Sequence, residues 1–321
     1  MAVGRSTLVT AITTFLADHD PRTLSAIREA LEREIDGAGP EALALLNERL
    51  GDSGNGWHYC QADPLARRIH HVLADSLLHH ESALYGVEHT AALSAQPVVI
   101  FANHLSYSDA NLLEILLQRF GAAPLADRLT VIAGPKVYSS MKRRFSSLCF
   151  GTIKTPQSSA LSTEDAVMNA REVARAARLS IDIAHERLGV GDALLVFGEG
   201  TRSRSSGMQP LLPGVSRYLE GPGTWVLPVG IAGTEELFPV GDDALHSVPI
   251  RIRLGRPFPA HVLHERANGD RRLMMDTVGL AIACLLPAEY RGTYADEAAD
   301  LDDARRLLRS LSGQAGDTKQ A

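Results

Sequence analysis

From Val98 to Phe101 the chain reads Val-Val-Ile-Phe without a polar interruption. Short apolar runs rich in β-branched residues and bounded by turn residues predict strands buried on both faces. The pattern recurs at Leu129 to Ala133, Phe150 to Lys154, Ala193 to Phe197, Trp225 to Ile231 and Ile250 to Leu254. Between these runs, helical spacing predicts a helix near Asn111 to Phe120 and a long one from about Thr163 to Leu188. Alternation of this kind predicts a layered α/β domain around a mostly parallel or mixed central sheet.

Before residue 90 the period changes. Leu24, Ile27, Leu31 and Ile35 recur on one helical face, Leu43, Leu46 and Leu50 on another, and a longer amphipathic pattern runs from about Pro64 to Tyr85. Gly37 to Pro40 and Gly51 to Gly56 read as breaks. The expected organisation is a small helical bundle over residues 1–90, an α/β domain over 91–312 and a disordered tail over 313–321. No internal repeat or low-complexity tract interrupts it.

Composition narrows the classes. With 321 residues the chain can bury one large core plus a small accessory domain. A net charge of −6 without long basic runs argues against nucleic acid as a partner. Three widely separated cysteines, Cys60, Cys149 and Cys284, suggest a reducing compartment and neither a disulfide framework nor a metal site. The longest apolar run, Val278 to Leu286, is half the length of a membrane span. The first residues, broken by Thr10, Thr13 and Thr14, do not read as a signal peptide. A cytoplasmic protein is expected, with the inner face of a membrane as a peripheral contact. Leu8, Ile12, Phe15 and Leu16 could line a short interfacial helix, although core packing is the expected use. His70, His71, His79 and His80 fall in pairs nine residues apart, which on a helix face different ways, so surface histidines and no metal are expected. Met141-Lys142-Arg143-Arg144 is the one compact basic cluster. By default it is a solvated face; otherwise it suits an acidic carrier protein, the phosphates of coenzyme A or anionic lipid heads.

Two segments carry candidate chemistry. In Asn103-His104-Leu105-Ser106-Tyr107-Ser108-Asp109, aspartate follows histidine by five positions, roughly 140° apart on one helix and so unable to pair there. With His104 in the turn leaving a strand and Asp109 opening the next helix, the carboxylate can fold back onto the imidazole. That fixes the tautomer and leaves the other nitrogen to take a proton from a hydroxyl. Ser108 and Asp109 are also favoured helix caps, and capping alone would explain them. The second segment, Phe197-Gly198-Glu199-Gly200-Thr201-Arg202-Ser203, follows a strand. Its glycines admit a ligand to the backbone, and Arg202 and Arg204 can fork onto phosphate oxygens. Neither a P-loop nor the G-x-G-x-x-G fingerprint is present, and the chain has no G-x-S-x-G elbow; Gly214-Val215-Ser216-Arg217-Tyr218 lacks the second glycine. General base, partner and anion clamp are the parts for moving an acyl group directly onto a hydroxyl of a phosphorylated acceptor.

These segments, together with Val226-Leu227-Pro228-Val229-Gly230-Ile231-Ala232-Gly233-Thr234, resemble the first, third and fourth sequence blocks of the glycerolipid acyltransferases, over about residues 95 to 290. That family includes the glycerol-3-phosphate and 1-acyl-glycerol-3-phosphate acyltransferases. The resemblance implies His104 as general base with Asp109 as its partner, and Arg202 on the acceptor phosphate. Glu199 would bind acceptor hydroxyls or brace the loop with Gly200, Thr201 and Ser203. Ala133-Gly134-Pro135-Lys136 looks like the family's post-strand lysine, which makes Lys136 a second phosphate ligand. The chain departs from the family pattern twice. Gly198 replaces a usual proline, and Phe150 to Pro156 lacks the arginine of the second block, for which Lys154 would substitute as a point charge. The helical N-terminal bundle over residues 1–90 is similar in layout to that of plant-type soluble glycerol-3-phosphate acyltransferases. The implied co-substrates are acyl-CoA or acyl carrier protein as thioester donor and a phosphorylated glycerol acceptor, with no cofactor. The same chemistry on a non-glycerol acceptor, a thioester or ester hydrolase, and a non-catalytic lipid-binding module are the alternatives.

Overall fold

The structure is a computed structural model that describes residues 4–16, 19–51, 56–94, 96–156, 169–239, 245–296 and 298–313. The chain opens with helices α1 (Arg5–Phe15) and α2 (Pro21–Gly51), the latter kinked where Gly39, at φ 80°, precedes Pro40. The break expected at Gly37 to Pro40 is therefore a bend between two helical stretches. A second expected break falls largely on residues 52–55, outside the described residues. Strand β1 (Tyr59–Cys60) follows, then α3 (Pro64–Leu77), whose start is capped by Asp63 accepting from the N–H groups of Leu65 and Ala66. Leu8, Val9, Leu16, Ile27, Leu31, Leu46, Leu65 and Ile69 form one buried cluster among these helices.

The amphipathic pattern expected to reach Tyr85 stops earlier. After α3 the chain turns, and Ala83–Tyr85 is strand β2, paired with the sheet. Two strands thus enter the sheet from before residue 90. From there the order is β3 (Val98–Ala102), α4 (Asp109–Arg119), α5 (Ala123–Ala126), β4 (Leu129–Ala133), α6 (Met141–Ser147), β5 (Gly151–Lys154), α7 (Ala170–Gly189), β6 (Ala193–Phe197), β7 (Trp225–Ala232), β8 (Arg251–Leu254), β9 (Phe258–Pro259), α8 (Ala260–Arg266), α9 (Arg271–Ala283) and α10 (Asp302–Gly313). Helix α7 begins on a capping box between Asn169 and Glu172; positions 163–168 of the expected long helix lie outside the described residues, as do 314–321 of the expected tail.

The sheet order is β1-β5-β4-β6-β3-β7-β8-β2, with β9 also on β7. Strands β5, β4, β6, β3 and β7 are parallel, β1 runs antiparallel to β5, and β8 runs antiparallel to β7 but parallel to β2. The sheet is mixed and mostly parallel, as the alternation of apolar runs predicts. Every residue of β3 is buried, because the sheet is covered on both faces. Ala102 at the end of β3 is level with Phe197 of β6 on one side and Val229 of β7 on the other. The loops leaving these three strands therefore emerge together, at the carboxyl ends where open α/β sheets hold their ligands.

The helical layer is fastened to the sheet layer by a buried charge. Glu114 of α4 is fully buried and takes Arg67 Nη2 at 2.6 Å and His71 Nε2 at 2.9 Å from α3. His71 is thus not a plain surface histidine. Neither is His70, whose burial pushes it down to about 4. The rings of His79 and His80 stack at 4.5 Å.

Candidate active site

The chain leaves β3 through Asn103, whose amide is fully buried. Its Nδ2 donates to Ile231 O and its Oδ1 accepts from Ile231 N, both at 2.8 Å, which stitches the exit of β3 to β7. His104 comes next. Its Nδ1–H donates to Asp109 Oδ2 at 2.8 Å, and its ring stacks on Phe197 at 4.1 Å between centroids. The imidazole is 17% exposed while Asp109 is fully buried, so the pair opens to solvent only through the ring. With Nδ1 engaged, Nε2 is the nitrogen left to accept a proton.

Asp109 stands in the first turn of α4, where an acidic side chain suits the helix dipole. It does more than cap. Its Oδ2 also accepts from Leu105 N at 2.8 Å and Ser106 N at 3.0 Å, and its Oδ1 accepts from Thr234 Oγ1 at 2.5 Å. Ser108, the flanking cap residue, makes no side-chain cap bond. Thr234 is delivered from the exit of β7 by Gly233 at φ 92°, where a Cβ would meet Pro249 O at 2.7 Å. Only glycine fits that turn.

From β6 comes Glu199, 2% exposed. Its Oε1 accepts from His104 N at 2.9 Å and its Oε2 from Gln209 N at 2.8 Å. Burial pushes this carboxyl up to about 7, against those two N–H groups, with the charge of Asp109 adding to the rise. Both its oxygens are thus committed to the backbone. Gly200 takes φ 71°, and Ser203 N donates to His104 O at 2.8 Å, which lays the 199–203 loop along the His104 turn. Ser203 Oγ closes the loop on Gly207 O at 2.7 Å. Thr201 is half-buried beside it. Arg202 lies over the Tyr107 ring, its Cζ 3.9 Å from the centroid, while Arg204 is exposed.

Lys136 sits in the turn Pro135–Tyr138 after β4. Its carbonyl accepts from Arg143 Nη1 at 3.3 Å, which brings α6 to the site. Lys154 stands at the end of β5, its ammonium 5.0 Å from the Trp57 ring centroid and 5.3 Å from that of Tyr138. The basic cluster also divides. Arg143 stacks on Tyr107 at 4.2 Å, Lys142 lies over Phe238 at 4.9 Å, and Arg144 donates to Leu50 O at 2.7 Å and Tyr138 O at 2.9 Å. Arg144 is an internal tie, so the cluster is not one solvated face.

The structure thus brings together His104, Asp109, Glu199, Gly200, Thr201, Arg202 and Ser203. Thr234, Asn103 and Tyr107 join them without having been given a role, and Arg143 joins them from the basic cluster of α6. Asn103, Tyr107 and Thr234 all stand within the segments read from the sequence, but the hydrogen-bond partners of Asn103 and Thr234 are 128 and 125 residues away. Among the described residues no group of three or more His, Cys, Asp or Glu is placed to hold a metal ion, and no helix is long and apolar enough to cross a membrane.

Residues 83–232 match the family model described as Acyltransferase. Among solved structures, the chain is similar to the crystal structure of the 1-acyl-sn-glycerophosphate (LPA) acyltransferase, PlsC, from Thermotoga maritima. That likeness has 18% identity and a TM-score of 0.42, and covers 80% of this chain and 88% of that one. No curated protein matches the chain.

Proposed function

Residues 83–232 belong to the acyltransferase family, and from that premise we propose that the protein moves a fatty acyl group from a thioester donor to a hydroxyl of glycerol-3-phosphate or 1-acyl-glycerol-3-phosphate. The observation that carries this reading is the His104–Asp109 pair, with the Arg202 loop hydrogen-bonded to the backbone of His104. A proton acceptor and a cation for an anionic acceptor then stand in one place.

His104 Nε2 takes the proton from the acceptor hydroxyl, and the oxygen attacks the thioester carbonyl. The tetrahedral intermediate collapses with loss of the C–S bond, and the leaving thiolate takes the proton back from the imidazolium. Backbone N–H groups stabilise the oxyanion. Asp109 holds the imidazole in one tautomer and stabilises its charged form. Arg202 and Lys136 bind the acceptor phosphate. Glu199, with both oxygens on backbone N–H groups, braces the loop and leaves the hydroxyls of the acceptor to other groups. Lys154, enclosed by Trp57 and Tyr138, is better suited to ordering the end of β5 than to phosphate.

Acyl-CoA or acyl carrier protein serves as donor, with no metal or redox cofactor. The protein works in the cytoplasm and touches the inner face of a membrane peripherally, where exposed Met141 and Lys142 can meet lipid. The test is a mass-spectrometric assay that crosses acyl-CoA and acyl-carrier-protein donors with glycerol-3-phosphate, 1-acyl-glycerol-3-phosphate and unphosphorylated acceptors. Ester formed on a phosphorylated acceptor is the expected result. Free fatty acid without any acceptor would instead identify a hydrolase, and ester only on unphosphorylated alcohols would remove the phosphate reading.

A further inference from the structure

One tyrosine ring carries two guanidinium groups. Arg202 reaches Tyr107 from the loop after β6 and Arg143 reaches it from α6, with Cζ atoms 3.9 and 4.2 Å from the ring centroid. The two cations cannot be further apart than the sum of those distances. Neither has a carboxylate partner among the described residues. Arg143 is held from behind, its Nη1 donating to Lys136 O and Ser139 Oγ, both at 3.3 Å. Tyr107 itself follows His104 by three residues, so the stack stands at the edge of the His104–Asp109 turn. Two neighbouring cations with no counter-charge among the described residues repel each other, and an anion bound by both relieves that repulsion.

We propose that Arg143 is a further acceptor-binding residue beside Arg202 and Lys136, and that Arg143 and Arg202, braced on Tyr107, form a two-guanidinium clamp selective for a phosphate monoester. This rests on the function proposed above and names the class of acceptor for the same site. A guanidinium fork engages two oxygens at once. The three terminal oxygens of a monoester, carrying close to two negative charges, can serve two forks by sharing one oxygen. A phosphodiester has two terminal oxygens and one charge, enough for a single fork. A guanidinium from α6 thus joins Arg202 and Lys136, where the resemblance implies an arginine of the second block.

The experiment measures kinetics of the unmodified protein, Arg143→Ala, Arg143→Lys, Arg202→Ala and the double alanine variant. The acceptors are 1-acyl-glycerol-3-phosphate and a 1-acyl lysophospholipid of the phosphodiester type, at saturating acyl-CoA. Calorimetric titration with glycerol-3-phosphate and with glycerophosphoglycerol, without donor, gives binding independently of turnover. Removing one charge-assisted fork should raise KM and Kd for the monoester about tenfold or more. Values for the diester should change far less, so the preference collapses. Arg143→Lys should recover only part of it, and the double variant should lose less than the product of the two single losses, as expected for groups sharing one ligand. Circular dichroism confirms that each variant is folded. The clamp is refuted if Arg143→Ala keeps the monoester preference, or if it weakens both acceptors equally. If the unmodified protein acylates neither acceptor, the proposed reaction falls, while the two titrations still decide the clamp.

Discussion

Replacing Thr234 by valine should cripple the protein without unfolding it. The change is nearly isosteric and removes one hydroxyl, which donates to Asp109 Oδ1 at 2.5 Å from a fully buried position. Hydrogen bonds to charged groups contribute about 1.5–3 kcal/mol, and leaving a buried acceptor unmet adds to the cost. Asp109 Oδ2 would keep its three donors, His104 Nδ1, Leu105 N and Ser106 N. The carboxylate would then be pinned through one oxygen and free to swing about it, and His104 would swing with it. If that whole loss appears in the transition state, turnover falls by about ten- to 150-fold, at 1.36 kcal/mol per tenfold. The assay is kcat and KM for acyl transfer, with Thr234→Ser as the variant that keeps the hydroxyl. A fall in kcat at constant KM, reversed by serine, is expected. Valine with unchanged kcat and unchanged pH profile would falsify the idea that the β7 loop positions the pair.

His104→Ala should lower turnover by at least two orders of magnitude with unchanged circular dichroism, since general-base catalysis contributes about 10²- to 10⁴-fold; near-normal transfer would end the mechanism. Arg202→Ala should raise KM for a phosphorylated acceptor about tenfold and leave the donor KM nearly unchanged, measured by steady-state kinetics. Glu199 is raised to about 7 when folded, so its contribution to stability is full below the ordinary carboxyl range and is lost as pH rises through 7. Melting temperature of the unmodified protein should therefore fall between pH 5 and pH 8 more steeply than that of Glu199→Gln; parallel curves would contradict it. Arg144→Ala removes donors to Leu50 O and Tyr138 O and should lower the melting temperature by roughly 2–4 °C for each kcal/mol lost. Liposome co-sedimentation should be unaffected by it and weakened by Lys142→Ala.

Legibility of the chain followed how local each constraint is. Strands of a sheet covered on both faces must be apolar along their length, so Val98–Ala102 and Ala193–Phe197 announce themselves. Ala83–Tyr85 does not, because three residues continuing an amphipathic pattern carry no period of their own; only pairing with β8 makes them a strand. His104 and Asp109 are legible because one turn holds both. Thr234 and Glu199 meet them only because β3 lies between β6 and β7, with Ala102 level with Phe197 and Val229, a register fact that no single segment states.

The basic cluster shows the same limit at shorter range. Adjacent residues of a helix point about 100° apart, so Lys142, Arg143 and Arg144 had to diverge, and that much could be read from their spacing. Which of them turns inward depends on where α2 ends and where Tyr107 stands, and those are set by packing. Arg144 finds the carbonyl of Leu50, and Arg143 finds the ring that Arg202 also covers. Glu114 extends the point: nothing in its local sequence marks a glutamate among leucines on α4 as buried, yet it is the buried counter-charge for Arg67 and His71. Since α4 also carries Asp109 at its first turn, the contact that fastens the helical layer to the sheet is made by the same helix that orients His104. The N-terminal helices are in this way part of the frame that fixes the position of Asp109.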